Sequence, residues 1–183
     1  MWPWVMSFKR SHLLAAIAFS LVLTASAKVF LIRDAALAEL FPDAEITRET
    51  VYLEPAQRKQ MEALAGTALS GDILYRYRAE IDSVLQGEAY MDAHRVRTLP
   101  ETLIVALLPD GSVKDVKVMV FNEPQEYLCP PKWYQQFVGR KLNDDLALKK
   151  GIDGMTGATL TARATTQSVR RVLAIRQVLS APK

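Results

Sequence analysis

The hydrophobic residues of this 183-residue chain follow two kinds of pattern, one typical of strands and one typical of helices. Strict alternation or a short apolar run predicts five β-strands, at residues 50–53, 73–81, 87–96, 102–108 and 113–121. Apolar positions three and four residues apart, or a short run between turns, predict helices at residues 56–65, 133–138 and 160–179. These elements follow one another without internal repeats, as in a single mixed domain.

Glycine and proline mark where the predicted elements begin and end. Pro55 suits the first turn of the first helix, and Gly66 closes that helix. The Pro109-Asp110-Gly111 turn joins the strands on either side of it into an antiparallel pair. The chain is therefore predicted to form an α+β fold, an antiparallel sheet with packed helices, preceded by one N-terminal hydrophobic helix.

The N-terminus combines a positive flank with an apolar stretch. Lys9 and Arg10 precede residues 13–27, which are apolar apart from two serines and one threonine. This pattern keeps the N-terminus in the cytoplasm and exports the rest of the chain. We therefore predict a membrane anchor or signal segment at residues 1–33 and an extracytoplasmic (periplasmic) domain at residues 34–183.

Two interpretations of the apolar stretch remain open. Ala25-Ser26-Ala27 has the small-x-small form of a signal-peptidase site, which allows cleavage after Ala27. Alternatively, the apolar run continues to Ile32 with Lys28 snorkelling at the interface, giving about 20 residues and a single-pass anchor in the cell membrane. We favour the anchor, because no helix breaker follows Ala27 and residues 28–40 continue the helical pattern.

Composition and charge exclude several kinds of site. The single cysteine, Cys129, excludes an internal disulfide, a four-thiolate iron–sulfur site and a zinc ribbon, and there are only two histidines. We therefore predict no metal site. The net charge of +3 does not indicate a nucleic-acid partner, because residues 160–183 hold five basic and no acidic residues, while the rest of the chain holds 18 basic and 20 acidic residues.

The segment before the last helix carries the clearest chemical signal. It reads Asp153-Gly154-Met155-Thr156-Gly157-Ala158-Thr159-Leu160-Thr161, a turn with two glycines and three threonines. Amide groups freed by the glycines and by the first helical turn make an anion site, and the helix dipole favours a phosphate there. Helix capping by a threonine is the plainer explanation of the same residues.

The pattern Asp-x-x-Thr-Gly-Ala-Thr resembles the flavinylation motif of FMN-binding domains, which include the G subunit of Rnf complexes and the C subunit of sodium-pumping NADH:quinone oxidoreductase. In that family a flavin transferase outside the cytoplasm, using FAD as donor, esterifies the last threonine of the motif to the phosphate of FMN. The resemblance implies covalent FMN on Thr159 and maturation by such a transferase. It also implies a cofactor site made of the other motif residues: Asp153, Gly154, Thr156, Gly157, Ala158, Leu160 and Thr161.

Weaker similarities to the same family extend over most of residues 36–179. They include residues 36–44, the 109–111 turn and residues 133–139. The loop that follows Glu123 departs from the family pattern Glu-Thr-Pro-Gly-x-Gly, because Pro124 comes directly after the glutamate. The resemblance implies that this loop lies beside the isoalloxazine ring and that Glu123 hydrogen-bonds the flavin, with an ordinary turn carboxylate as the alternative.

Several other side chains have two interpretations, a functional role or an ordinary structural position. Tyr127, Trp133 and Tyr134 either line a flavin pocket or belong to the core, and we favour the core for aromatic residues near a short helix. His94 is either a proton donor or an exposed residue of a charged strand, and we expect it to be exposed. Cys129 is expected to be a buried or unreactive thiol, because no base or helix N-terminus is evident nearby.

The last helix is predicted to bury one face and to expose the other. The residues of its apolar face are Val169, Val172, Leu173, Ile175 and Leu179. The arginines opposite are expected to be solvated: Arg163, Arg170, Arg171 and Arg176. Among them Arg163, nearest the phosphate end of the helix, has the best claim to a ligand role.

Export and the family resemblance together imply an extracytoplasmic electron-transfer flavoprotein. It would relay electrons through FMN on Thr159 between redox protein partners of a membrane-associated complex, held at the membrane by the N-terminal helix. The chain lacks a glycine-rich nucleotide turn after a strand, so we expect a subunit of an oxidoreductase rather than a self-sufficient enzyme and assign no catalytic residue. A non-redox accessory or assembly subunit of a membrane complex is the alternative.

Overall fold

A six-stranded antiparallel sheet with helices on both faces forms the structure, a computed structural model that describes residues 28–29 and 32–181. The strands are β1 (Lys28–Val29), β2 (Glu45–Tyr52), β3 (Ile73–Ile81), β4 (Val84–Arg95), β5 (Pro100–Leu107) and β6 (Val113–Phe121). The helices are α1 (Arg33–Leu40), α2 (Pro55–Ala65), α3 (Pro131–Tyr134) and α4 (Thr159–Ser180). The strands lie in the order β1-β6-β5-β4-β3-β2. The predicted α+β class is thus confirmed.

The structure describes only a small part of the N-terminal segment. Most of the hydrophobic helix predicted over residues 13–32 lies outside the described residues. Lys28 and Val29 are described, and they pair with Phe121 and Val120 at the edge of the sheet. The prediction of one continuous helix over residues 28–40 is therefore wrong, because α1 begins only at Arg33. Among the helices described, none has the length and hydropathy needed to cross a bilayer.

The sheet separates two apolar layers, and β5 contributes to both. Leu103 and Val105 face the layer formed with α2, α3 and α4, whereas Ile104 and Ala106 face α1. This double burial follows from the alternation of side chains along a strand that has neighbours on both sides. The larger layer lies on the side of α4, the helix that follows the threonine-rich segment.

The segment between β6 and α4 forms short helical turns. It holds 3₁₀ turns at Gln125–Tyr127 and Gln135–Phe137, with α3 between them. Trp133 packs edge-on against Tyr134 and Phe137, with ring centroids 5.3 Å apart in both pairs. Trp133 and Tyr134 are buried in the main apolar cluster, so the core interpretation of these two residues is confirmed.

The arginines of α4 do not form a solvated face. Arg171 is buried and bonds Asp92 of β4, and Arg176 lies 2.6 Å from a carboxylate oxygen of Glu88. Arg170 donates to the carbonyl oxygen of Ala65 at 2.8 Å, at the C-terminal end of α2. Carboxylates and helix-end carbonyl groups offset the cost of removing these charges from water. Of the four arginines, only Arg163 is exposed as predicted.

Candidate functional site

The backbone of Asp153 is fixed where the threonine-rich segment begins. Its N–H donates to Oε1 of Gln136 at 2.8 Å, and its carbonyl oxygen accepts from Nε1 of Trp133 at 2.8 Å. Both partners belong to α3 and the 3₁₀ turn that follows it. The Asp153 side chain itself is exposed. The short helix therefore anchors the chain just before the turn into α4.

A tight turn over residues 155–158 leads into α4. The Ala158 N–H donates to the Met155 carbonyl oxygen at 3.1 Å, and Gly157 has φ +82°. This φ at the third residue of a hydrogen-bonded turn is typical of type II turns and favours glycine. Ala158 is buried while Thr156 and Gly157 are exposed, so the turn presents its tip to solvent.

The N-terminus of α4 has no side-chain cap. Ala158 occupies the N-cap position, and α4 starts at Thr159, so the alternative that a threonine caps the helix is wrong. The N–H groups of Thr159, Leu160 and Thr161 find no acceptor in the described part of the chain. Free N–H groups at the positive end of a 22-residue helix can bind an anion.

The Thr159 side chain is exposed at the edge of a small cleft. Its Oγ1 donates to the Met155 carbonyl oxygen at 3.2 Å and keeps its own lone pairs free. The cleft has a volume of about 150 Å³ and is lined by Arg97, Tyr127, Gly157, Ala158, Thr159, Leu160 and Thr161. The structure thus brings five of the predicted site residues together in one cleft. The other three motif residues, Asp153, Gly154 and Thr156, are exposed outside it.

Arg97 is the cationic residue of this cleft, and it was not predicted. Its guanidinium carbon lies 4.7 Å from the centroid of the Tyr127 ring, a cation–π contact. Tyr127 is tied to α4, because the Thr161 hydroxyl donates to its carbonyl oxygen at 2.5 Å. Arg163, which the sequence favoured as a ligand, does not line the cleft. The fold therefore supplies a positive charge from the turn between β4 and β5.

Glu123 supports that turn instead of lining the cleft. Its Oε1 accepts hydrogen bonds from the N–H groups of Thr98, Leu99 and Arg97 at 2.7, 2.8 and 3.1 Å. Burial alone would raise the pKa of Glu123, but the N–H groups of this turn outweigh that effect and hold the pKa below its ordinary value. Glu123 thus fixes the backbone from which Arg97 projects.

A buried ionic cluster joins α4 to β4 and β5. Asp92 accepts from Nε of Arg171 at 3.0 Å and lies 2.9 Å from Nδ1 of His94, whose Nε2 lies 3.0 Å from Oε2 of Glu101. The His94 side chain is only 8% exposed, so the expectation that it is exposed is wrong. Because both ring nitrogens face carboxylates, the geometry fits a charged imidazolium that donates on both sides.

In this cluster, burial and ionic contacts shift the pKa values in opposite directions. Burial tends to lower the pKa of His94, but its bonds to Asp92 and Glu101 outweigh burial and raise it. Burial tends to raise the pKa of Asp92, but its bonds to His94 and Arg171 outweigh burial and hold it well below the ordinary value. Both shifts favour the charged forms, as expected for a closed ion-pair network.

Cys129 lies near the same cluster and is chemically quiet. It is buried, and burial, reinforced by the charge of Glu101, raises the pKa of the thiol to about 12. A thiol with so high a pKa is almost entirely protonated near neutrality and is a poor nucleophile. The prediction of a buried or unreactive cysteine is confirmed.

Replacing Gly157 by alanine is expected to destabilise the fold by about 1–2 kcal/mol, because an L-residue is strained at φ +82° although no atom blocks the added methyl group. Gly154→Ala is the matched control, since Gly154 lies in the same segment with open space and no positive φ. The free energy of unfolding in urea measures both variants. Equal losses in the two variants would contradict a strained turn at Gly157.

Comparison with known proteins finds one family model that matches part of the chain. The family model described as "FMN-binding domain" matches residues 99–174, which run from β5 into α4 and include every residue of the cleft except Arg97. No curated protein and no solved structure matches the chain. The free N–H groups of α4, the exposed Thr159 and the guanidinium of Arg97 fit the phosphate of this cofactor. Residues 99–174 thus match the FMN-binding domain family, and this match supports a flavin-binding protein with FMN as its cofactor.

Proposed function

We propose that the domain carries FMN covalently, through a phosphoester bond to Oγ1 of Thr159, and relays electrons outside the cytoplasm. The observation that carries the proposal is the position of this hydroxyl. It is exposed at the N-terminus of α4, next to amide groups that have no acceptor in the described residues. A phosphate esterified to Oγ1 would lie against these amides and complement the helix dipole.

The chemistry of the bond explains the residues around Thr159. An ester needs a hydroxyl oxygen, which threonine supplies, and Gly157 and Ala158 leave little bulk beside it. Arg97 lines the same cleft and supplies a positive charge for the phosphate oxygens. These side chains would hold and orient the nucleotide at its phosphate end.

The size of the cleft supports attachment through the phosphate. Pockets that enclose a small-molecule ligand measure about 300–1,000 Å³, whereas this cleft has about 150 Å³. It suits a phosphate group, so the ring system is expected to lie outside it, near the exposed Leu160. A covalent bond would keep a cofactor that the cleft encloses only at one end. When bound, FMN supplies one- and two-electron redox chemistry, while the protein tunes the ring by contacts and charge.

Export to the extracytoplasmic side remains part of the proposal, with a flavin transferase for maturation and redox proteins of a membrane complex as partners. The positive flank of Lys9 and Arg10 supports export. The pairing of Lys28–Val29 with β6 leaves the 15 residues 13–27 for the apolar segment, fewer than the about 20 that a spanning helix needs. This pairing favours cleavage after Ala27 over a retained anchor, and a mature N-terminus at Lys28 would be the direct readout.

Covalent attachment can be tested by expressing the full chain in an exporting host with and without a flavin transferase. The denatured protein is expected to give a fluorescent band, and an intact mass raised by FMN less one water, only when the transferase is present. A dark band of unmodified mass, from cells in which the transferase modifies an established substrate, would refute the proposal.

Arg97→Ala is expected to slow covalent flavin attachment roughly 10-fold or more, because a charge-assisted contact to phosphate contributes about 1.5–3 kcal/mol. The initial rate of appearance of the fluorescent band measures the effect. Arg163→Ala removes an exposed arginine of α4 that does not line the cleft, and it is expected to leave the rate unchanged. Equal slowing by both variants would mean that general positive charge, not Arg97, matters.

A further inference from the structure

The face of the sheet that α1 covers is left open at one end. An eight-residue helix is about 12 Å long, whereas six strands span about 24 Å. α1 packs on Tyr77 of β3, and side chains alternate along a strand, so Tyr75 and Ile73 lie on the same face outside that contact. They are 41% and 51% exposed, and Tyr52, which pairs with Ile73, is 73% exposed. We call four exposed residues of this face the open patch: Tyr52, Ile73, Tyr75 and Ala93.

A groove opens in the sheet at the open patch. At this end β3 pairs with β4 only as far as Arg76 and Tyr90, whereas β3 stays paired with β2 to Ile73 and β4 stays paired with β5 to Arg95. The two strand pairs therefore part from each other here. The groove has a volume of about 500 Å³ and is lined mainly by apolar and aromatic side chains. An exposed apolar surface of this kind marks a contact with a partner molecule or a membrane.

Two arginines lie over the aromatic rings of this groove. The guanidinium carbon of Arg48 is 4.1 Å from the centroid of the Tyr75 ring, and that of Arg33 is 5.9 Å from the centroid of the Tyr77 ring. Both arginines line the groove. The side chains therefore combine apolar rings with positive charge, as do residues that lie at a membrane interface.

The charges around the open patch are mainly positive. Arg95 is exposed on the same face, two residues beyond Ala93 along β4. In the part of the chain that the structure describes, neither Arg95 nor Arg48 pairs with a carboxylate. The acidic residues nearest in sequence, Asp72 and Asp92, bond arginines of α2 and α4 on the other side of the sheet. The open patch is thus complementary to an anionic surface.

The open patch shares a row of the sheet with the point where the N-terminal segment joins the domain. Val29 pairs with Val120, Val120 pairs with Thr102, and Thr102 pairs with Ala93 of the patch. The apolar residues 13–27 come directly before β1 in the sequence. A bilayer that receives this apolar segment during export therefore lies at the same end of the sheet as the patch. This position favours a membrane over a soluble partner.

We propose that the open patch docks on the surface of a bilayer that contains anionic phospholipids. Its tyrosine and isoleucine side chains enter the interfacial region, and the arginines around it contact the lipid phosphates. The inference rests on the export part of the proposed function and not on the covalent flavin. Docking also positions the cofactor cleft, because Arg97 of the cleft lies two residues beyond Arg95, at the same end of β4. The cleft is then held close to redox partners in the membrane.

Fluorescence quenching by spin-labelled lipid tests the docking on the full chain, as an exporting host with a flavin transferase produces it. A bimane label on Ile73→Cys, or on Tyr52→Cys, is expected to be quenched about twofold or more in phosphatidylglycerol vesicles that carry a spin label near the headgroup. The control Val138→Cys places the label on an exposed apolar site between β6 and α4, and it should stay unquenched. Cys129 is buried with a thiol pKa of about 12, so it does not take the label.

The charge of the lipid and of the patch should both matter. Quenching at Ile73→Cys is expected to fall in phosphatidylcholine vesicles, and the double variant Arg48→Gln with Arg95→Gln should lose the difference between the two lipids. The matched control, Arg163→Gln with Lys150→Gln, removes two exposed positive charges away from the patch and should keep that difference. Equal quenching in the two lipids before any arginine is changed overturns the proposal.

The other outcomes are equally decisive. Labels at both patch positions that stay unquenched in phosphatidylglycerol vesicles, or a Val138→Cys label quenched as strongly as they are, overturn the docking. A lipid-free dimer that shields the label at Ile73→Cys assigns the patch to a second copy of the chain and overturns it too. A denaturing gel of the same samples reports covalent flavin separately. Quenched patch labels with a dark band refute covalent flavin alone, and a fluorescent band without quenching overturns this inference alone.

Discussion

A Thr159→Val protein is expected to carry no covalent flavin after co-expression with a flavin transferase, whereas Thr159→Ser retains it. Valine has nearly the shape of threonine but offers no oxygen for the ester, and serine offers the same hydroxyl. The measurement is flavin fluorescence of the denatured band at equal protein loading. It should fall to background in Thr159→Val and remain visible in Thr159→Ser.

The loss in Thr159→Val should not come from unfolding. Thr159 is exposed, and its hydroxyl bonds only the Met155 carbonyl oxygen, so the free energy of unfolding should change by no more than about 1 kcal/mol. Thr47→Val is the control, because it removes an exposed threonine hydroxyl of β2, outside the motif. A bright band in Thr159→Val, or a dark one in Thr47→Val, would contradict attachment at Thr159.

Arg171→Met is expected to have the largest effect on stability, a loss of about 3–5 kcal/mol in the free energy of unfolding. Arg171 is buried and donates twice to Asp92, so its removal leaves a buried carboxylate with His94 as its one remaining charged partner among the described residues. Arg163→Met is the control, since Arg163 is exposed on the same helix and should change stability by less than about 0.5 kcal/mol. Urea unfolding measures both, and similar losses in the two variants would contradict a buried ion pair.

The same ionic cluster predicts a stability maximum in mildly acidic solution. The folded-state pKa of His94 is raised, so its contribution is complete below the ordinary value of 6.5 and is lost as pH rises through the raised value. The folded-state pKa of Asp92 is lowered, so its contribution is complete above the ordinary value of 3.8 and is lost as pH falls through the lowered value. His94→Gln should flatten the alkaline decline in unfolding free energy, and an unchanged decline would exclude His94 as its cause.

Periodicity predicted the regular elements wherever one face of an element is buried. The bounds of β3 and β6 match the prediction, α4 is longer by one residue at each end, and Gly66 ends α2 in a left-handed conformation as expected. β2 begins five residues earlier than predicted, because its first half, from Glu45, is mostly polar and exposed at the sheet edge. β4 likewise begins three residues early, at Val84, in the hairpin with β3.

The errors arise where contacts distant in sequence override local pattern. Lys28 and Val29 continue an apolar helical pattern, but their partners in β6 lie more than 90 residues away. Arg171 lies among arginines expected to be solvated, and its partner Asp92 is 79 residues distant. The expectation that His94 is exposed failed in the same way. Asp92 and Glu101 surround the ring only once β4 and β5 have paired. A single sequence contains no signal for such pairings.

The sequence predicts the motif of the candidate site but not the contribution of the turn between β4 and β5. The two-glycine turn and the helix that follows are local features, so Gly157 to Thr161 could be placed in one site from the sequence. Arg97 reaches that site from the turn between β4 and β5, and Glu123 fixes that turn from the end of β6. No residue near Arg97 in the sequence indicates this role.

The most direct test of covalent FMN on Thr159 is the mass of one tryptic peptide from the mature, transferase-treated protein. Trypsin releases residues 151–163, which contain Thr156, Thr159 and Thr161 as internal alternatives. The peptide is expected to carry the added mass of FMN less one water, with fragment ions that place the addition on Thr159. A peptide with the mass of its amino acids alone, or an addition on either other threonine, would contradict the assignment.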